Sequence, residues 1–386
     1  MIYFDNAATS FPKPEFVYKE MDKCLREYCA NPGRGSHKIS LKSGEMVFET
    51  REKISKFFNI SDPMRIAFTK NATEAINYGI RGLLEENDHI ITTSMEHNSV
   101  IRPLKHMENE KNIDVSIIKG NNYGVIDEKE IEKAIKKNTK LIVTTLSSNV
   151  NGIILPIKEI GKIAKDNGII YLLDASQGAG TIDINLKELY IDIMVFPGHK
   201  CLFGPQGVGG LYIKDTLELN SIIQGGTGTD SQKLFQPEYM PELFESGTLN
   251  TPGIAGLNAG ISYINLIGKE KIRKHKYNLV KNLIDGMKEI DGIKIYSKDD
   301  YDNNSGIVAF EFEDIESREI GYVLNDIYEI CVRTGLHCAP LAHETLRTLD
   351  KGLVRVSFSY FNTVNEVSKL LDILNDIRKS LCLRKS

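Results

Sequence analysis

From Arg65 onward, apolar runs of five or six residues alternate with longer segments whose apolar positions recur at helical spacing. The runs Arg65–Thr69, His89–Thr93, Asp114–Ile118, Leu141–Leu146 and Ile169–Leu173 predict strands, and a further run ends at Val195-Phe196-Pro197. Between them, Ala72–Leu84, Ser99–Glu110, Glu128–Lys136 and Ile157–Asn167 predict helices. Strands that are apolar throughout, rather than alternating with polar residues, are covered on both faces, so this pattern predicts an α/β fold with a mainly parallel sheet flanked by helices. Ahead of it lie an arm broken by Pro12 and Pro14, a helix from about Glu15, a glycine-rich loop Asn31–His37 and a helix from about Ser43 to Phe58.

After Thr251 the pattern changes. Ile254–Ile290 reads as one long connector helix, followed by strands at Ile293–Tyr296, Gly306–Phe312 and Val354–Ser357 and helices at Ser317–Asn325 and Val364–Lys379. The chain therefore divides into an arm (1–15) expected to pack with the small domain, a large domain (16–250), and a connector with a smaller α/β domain (251–386). The tail Leu383–Ser386 is expected to fray. No internal repeat or low-complexity tract interrupts this plan.

Composition narrows the class. A 386-residue chain with formal net charge −4, 26% charged and 41% hydrophobic residues has no basic stripe for a polyanion, so no nucleic-acid partner is expected. No apolar run approaches the roughly 20 residues that span a bilayer, and the N-terminus lacks the features of a signal peptide, so the expected address is the cytoplasm with no membrane attachment. Six cysteines without a C-x-x-C pair are too sparse for a disulfide framework or structural zinc. No metal ligand set is expected.

In an open parallel sheet, ligands sit beyond the carboxyl ends of the strands, and that rule nominates residues. Asn71-Ala72-Thr73-Glu74 opens a helix after the first strand, either as an anion site or as a plain N-cap. His97 follows the second strand, as a site residue or a structural one. Asn149 sits in the polar turn Ser147–Gly152, and Asp174 ends a buried run where its charge needs a partner. Val195–Gly210, VFPGHKCLFGPQGVGG, delivers His199 and Lys200 into a tight turn; Lys200 is either a surface lysine or a fixed amine able to form a Schiff base. Schiff-base lysine, pyridinium-pairing aspartate, helix N-terminus for phosphate and stacking histidine together are what pyridoxal 5'-phosphate (PLP) asks of a protein. Two loops remain. Arg34 and His37 either face a ligand or are merely exposed. Cys338, in Val332–Pro340 between Arg333 and His337, is either a thiol activated by an electropositive setting or a buried small hydrophobe, as Cys201 and Cys331 are expected to be.

Asp5-Asn6-Ala7-Ala8-Thr9, Asn71-Ala72-Thr73-Glu74, Glu96-His97-Asn98-Ser99, Asp174-Ala175-Ser176-Gln177, Gly198-His199-Lys200 and Gly247-Thr248 resemble the class V aminotransferase superfamily, in its NifS/SufS-like cysteine desulfurase branch. The resemblance covers nearly the whole chain. It implies PLP fold type I with a seven-stranded sheet, Lys200 carrying PLP, Asp174 on the pyridine nitrogen, His97 stacked on the ring and Gln177 on the ring hydroxyl. Ala72, Thr73 and His199 would hold the phosphate. Thr248 would reach the phosphate of a neighbouring subunit, which implies a homodimer. Arg-Thr-Gly-x-His-Cys-Ala matches the loop of Suf-type enzymes, making Cys338 the sulfur-accepting nucleophile; Arg355 matches the arginine that clamps the substrate carboxylate, with Asn149 beside it. The implied reaction turns L-cysteine into L-alanine, leaving a persulfide on Cys338 for an acceptor protein, with proton handling by His97. Alternatives are a selenocysteine lyase acting on L-selenocysteine and passing on selenium, another class V reaction such as transamination, and a non-catalytic PLP-binding regulator. Two positions depart from the pattern. Pro197 replaces a phosphate-binding Ser or Thr, for which Gly198 N–H, Thr227 or Thr229 could substitute, and Leu336 replaces a polar residue.

Overall fold

The computed structural model describes residues 1–33 and 35–385. In chain order the elements are β1 (Ile2–Tyr3), α1 (Glu15–Lys23), α2 (Lys38–Phe58), β2 (Ile66–Thr69), α3 (Ala72–Arg81), β3 (His89–Thr93), α4 (Asn98–Lys111), β4 (Asp114–Ile118), α5 (Glu128–Lys133), β5 (Thr139–Thr145), α6 (Ile157–Asp166), β6 (Ile170–Asp174), β7 (Ile193–Pro197) and β8 (Gly209–Ile213). The C-terminal part adds α7 (Thr251–Ile267), α8 (Lys269–Lys288), β9 (Ile293–Ile295), β10 (Ile307–Phe312), α9 (Ser317–Asp326), β11 (Ile330–Cys331), β12 (Arg333–Gly335), α10 (Pro340–Leu346), β13 (Leu353–Ser357) and α11 (Val364–Lys385).

A seven-stranded sheet in the order β2-β8-β7-β6-β5-β3-β4 forms the centre. β3, β4, β5, β6 and β7 pair in parallel, and only β8 runs against its neighbours β2 and β7. The inner strands are buried along most of their length because they are covered twice, whereas the edge strand β4 is exposed or half-buried. Along β7, Ile193 and Val195 face a core built with α3 and α4, while Met194 and Phe196 face one built with α2, α6 and α7. That is the period-2 alternation of a pleated strand with no solvent side. Each fully buried side chain of this size is worth roughly 1.5–3 kcal/mol relative to exposure.

β8 is absent from the sequence-based reading because its first residues are Gly209 and Gly210. The glycine is a packing requirement: a Cβ on Gly210 would lie 2.2 Å from the Phe196 ring. The connector also differs from expectation. Gly268, at φ 94° and ψ 128°, breaks it into α7 and α8, because a helix cannot pass through a residue in that region of backbone space. α2 starts five residues early, at Lys38, capped by His37, whose Nδ1 accepts from Ser40 N at 3.3 Å. His37 therefore serves as a cap, while Arg34, its partner in that loop, lies outside the described residues. α11 is assigned up to Lys385, and Ser386, the end of the tail expected to fray, again lies outside them.

The small sheet runs β12-β13-β10-β9, backed by α8, α9 and α11 around a separate core that includes Ile2 and Phe4 of the arm. β1 pairs in parallel with β11, and Ser357 N donates to Phe4 O at 2.7 Å. Past Asn6 the arm turns to the large sheet, where Ser10 N donates to His199 O at 3.1 Å and Lys13 Nζ to the same oxygen at 2.7 Å. Among the described residues no helix is long and apolar enough to cross a membrane.

Candidate active site

The carboxyl ends of β2, β3, β5, β6 and β7 face one cavity of about 170 Å³. Its wall includes Ala72, Thr73, His97, Asn149, Asp174 and Gln177, with Pro197, His199 and Lys200 closing the floor. Residues 128 positions apart in sequence thus meet because each ends or follows a strand of one sheet.

At α3, the Asn71 side chain accepts from Glu74 N at 2.9 Å, so the N-cap reading is correct. It does not exhaust the helix end. The N–H groups of Ala72 and Thr73, the first two helical residues, have no intrahelical acceptor, and both residues line the cavity. Asp174 is 1% exposed and accepts from Ser176 N at 2.9 Å. Burial lowers the Lys200 amine below its usual range, with Asp174 opposing that shift. Burial likewise takes His199 to about 4, helped by the charges of Lys200 and Lys13. His199 Nδ1 is buried without a hydrogen-bond partner among the described residues. His97 is lowered by burial and by Lys200; its Nδ1 accepts from Ser99 N at 3.0 Å, which puts the proton of the neutral ring on Nε2. Gln177 Nε2 donates to Ala7 O at 2.9 Å, tying the arm to the cavity.

These residues fit pyridoxal phosphate. An unpartnered buried histidine nitrogen and two free helix N–H groups match a phosphate, a buried carboxylate matches a pyridinium, and a desolvated lysine matches an aldehyde. At Pro197 the structure corrects one expected substitute: Gly198 N donates to Val208 O at 2.8 Å and is not available to a phosphate. Thr227 and Thr229 bond to each other at 3.1 Å in an exposed loop, outside the wall of this cavity. Thr248 is also exposed and outside it. The segment before Thr248 is pinned to the sheet, where Glu245 accepts from Phe68 N at 2.6 Å and from Arg51 NH2 at 2.5 Å.

Cys338 is exposed, so the buried reading fails; Cys201 and Cys331 are half-buried rather than sealed in the core. Cys338 lies in an open groove of about 420 Å³ that shares Thr73, His97 and Ser99 with the cofactor-sized cavity. Its backbone is held in place. Asn98 N donates to Cys338 O at 2.8 Å, and Asn149 Nδ2 to His337 O at 2.6 Å. His337 and Cys338 both take positive φ, 50° and 56°, a conformation that persists only when the surroundings impose it. A buried chain from His337 Nδ1 to His343 Nε2 (3.2 Å) and from His343 Nδ1 to Thr348 Oγ1 (2.8 Å) backs the loop. Leu336 is 38% exposed beside it.

Arg355 is 3% exposed and lies behind Asn149, to whose backbone oxygen its NH1 donates at 2.8 Å. Its NH2 donates to Asp5 at 2.8 Å, and Nε has no partner among the described residues. Asp5, Asn98 and His343 are contacts that the sequence-based reading did not assign. Asp5 stood in a quoted motif, but no spacing could place it beside residue 355.

The family model described as Aminotransferase class-V matches residues 2–370. Among curated proteins, the chain is 37% identical over 382 residues to a probable cysteine desulfurase of Methanothermobacter thermautotrophicus, covering 97% of this chain and 94% of that protein. It is 37% identical over 393 residues to a probable cysteine desulfurase of Pyrococcus abyssi, covering 99% and 95%. Among solved structures, the apo cysteine desulfurase of Thermococcus onnurineus NA1 superposes with a TM-score of 0.93 at 34% identity, over 98% of this chain and 95% of that one. Strand-end cavity, lysine, aspartate and full-length similarity lead to one conclusion: this chain belongs to the class-V aminotransferase family, with the fold of its cysteine desulfurases.

Proposed function

We propose that this protein is a PLP-dependent cysteine desulfurase that converts L-cysteine to L-alanine and leaves the sulfur as a persulfide on Cys338. The observation that carries this is the shared wall. Thr73, His97 and Ser99 belong both to the cavity of Lys200 and Asp174 and to the groove of Cys338, so an amino acid held in the first presents its sulfur to the second.

Lys200 would hold the cofactor, Asp174 its ring nitrogen, His97 and Gln177 its ring, and Ala72, Thr73 and His199 its phosphate. When bound, PLP supplies an electron sink for negative charge at the substrate's Cα. Arg355, with Asn149, takes the substrate carboxylate. Lys200, its amine lowered below the usual lysine range by burial, moves the proton at Cα. Cys338 Sγ attacks the substrate sulfur: the S–S bond forms, the Cβ–S bond breaks, and protonation of the carbon skeleton completes alanine. The sum is L-cysteine plus Cys338–SH giving L-alanine plus Cys338–S–SH. His97, with its proton on Nε2, serves the leaving group. The persulfide then passes to an acceptor protein, and the exposed position of Cys338 supports that transfer.

The working unit would be a homodimer with Thr248 reaching the partner's phosphate, a reading supported by its exposure outside its own cavity. The cytoplasm is the matching compartment, because the chemistry needs a reduced thiol.

Purified PLP-loaded protein is expected to yield alanine from L-cysteine with no keto acid consumed, and a 32-Da adduct on the Cys338 peptide. Cys338→Ser should abolish both. Alanine formed only with a keto acid would mean transamination. Full activity of Cys338→Ser on L-selenocysteine, with none on L-cysteine, would make the protein a selenocysteine lyase.

A further inference from the structure

Arg333 and Arg355 are direct partners across the β12–β13 ladder, a like-charge pairing that sheets disfavour. The pairing is more costly because Arg355 is removed from water. Compensation comes from the opposite end of the chain. Asp5 accepts from Arg355 NH2 at 2.8 Å through Oδ1 and lies 3.8 Å from Arg333 NH1 through Oδ2. Asp5 itself is held. Residue 5 bridges Ser357, Ala7 N donates to Ser357 Oγ at 2.8 Å, and Phe4 N donates to Cys331 O at 2.9 Å. The carboxylate is therefore fixed to the strand that carries Arg355, and it cannot swing away with a flexible terminus.

We propose that Asp5 is the positioning residue for recognition of the substrate's α-carboxylate. The carboxylate holds NH2 of Arg355 while the Asn149 carbonyl holds NH1. Two such anchors fix the plane of the guanidinium. They leave Nε buried and without a partner among the described residues. Asp5 also offsets the charge of Arg333, so that Arg355 is not pushed away from the site by its cross-strand neighbour. Because the arm reaches Arg355 through the small domain and Lys200 through His199, the carboxylate and amine ends of a bound amino acid are gauged by one segment.

This rests on the reading of Arg355 as the carboxylate site. The test measures binding of L-alanine and of ethylamine, which is alanine without its carboxylate, to the PLP-loaded protein by calorimetry. Asp5→Asn is expected to weaken L-alanine about tenfold or more, the loss of one charge-assisted hydrogen bond, and to leave ethylamine unchanged. The KM for L-cysteine should rise in parallel with kcat nearly constant, and Asp5→Glu should restore part of the loss. Equal weakening of both ligands, unchanged L-alanine binding, or tighter L-alanine binding would each overturn the inference. Arg355→Gln separates the two levels. If it leaves L-alanine binding intact, the carboxylate reading itself fails; if it removes binding while Asp5→Asn does not, only the role of Asp5 falls. Should the Asp5 variants not fold, Arg333→Gln asks the same question: with Asp5 no longer shared, L-alanine should bind at least as tightly, and weaker binding would overturn the inference.

Discussion

Burial sets the chemistry of single residues here. Lys200 and His97 are both pulled below their ordinary ranges by desolvation, and Glu96, fully buried next to His97, is pushed up to about 8. The histidines behind the Cys338 loop follow the same physics, with a consequence for stability. Burial takes His343 to about 4 and lowers His337 as well. Between pH 6.5 and about 4 the unfolded chain binds a proton at residue 343 that the folded chain refuses. The contribution of a neutral His343 is therefore complete above pH 6.5 and is lost as pH falls toward 4. Urea unfolding should show stability dropping across that window, by on the order of 1–3 kcal/mol from this residue. His343→Gln should flatten the slope even if it lowers stability at every pH; an unchanged slope would refute the assignment.

At the scale of elements, glycine decides two features that hydrophobic patterning does not reveal. The connector reads as one helix because its apolar spacing continues past residue 268, and the break arises from backbone geometry alone. A Cβ on Gly268 meets nothing within 4 Å, so Gly268→Ala should cost only the strain of its backbone, about 1–3 kcal/mol by denaturant unfolding. Gly210 is the opposite case. Its φ needs no glycine, but Phe196 occupies the space, and Phe196 is fully buried. Gly210→Ala should destabilise by about 1–3 kcal/mol through overpacking and shift near-ultraviolet circular dichroism, a sign that Gly268→Ala should lack. Strands whose patterning was complete, such as β3, β4 and β6, lie where the apolar runs predicted them. The short strands β1, β11 and β12 carry no periodicity to read and exist only because a partner strand is present.

The whole molecule adds contacts between distant parts of the chain. The loop before Thr248 exposes Leu234 at 98% and Phe235 at 88%, adjacent large apolar side chains with no cover in the single chain. Gly247 N donates to Gly226 O at 2.8 Å, which ties that loop to the Thr248 segment. If a second copy covers this surface, Phe235→Asp should shift sedimentation from dimer toward monomer. It should also weaken retention of PLP in the same concentration range, because Thr248 would leave the partner's phosphate. A monomeric wild-type protein that holds PLP fully would count against the shared site.

The class of fold and the strands that border the cavity were legible in the sequence, and the strand-end rule nominated His97, Asp174 and Lys200; the roles proposed for them, and the choice of Cys338 as nucleophile, came from the resemblance to the family and not from a local rule. Buried strands are apolar throughout, ligands sit at their carboxyl ends, and a reactive group needs neighbours of a particular chemistry. What the tertiary structure decided is which groups were still available. Gly198 N–H is bonded to Val208, Cys338 is open to solvent, Thr248 lies outside the wall of its own cavity, and Asp5 sits against an arginine 350 residues away. Hydrogen-bond partners and charge compensation are properties of contacts across the chain, and periodicity along it carries no record of them.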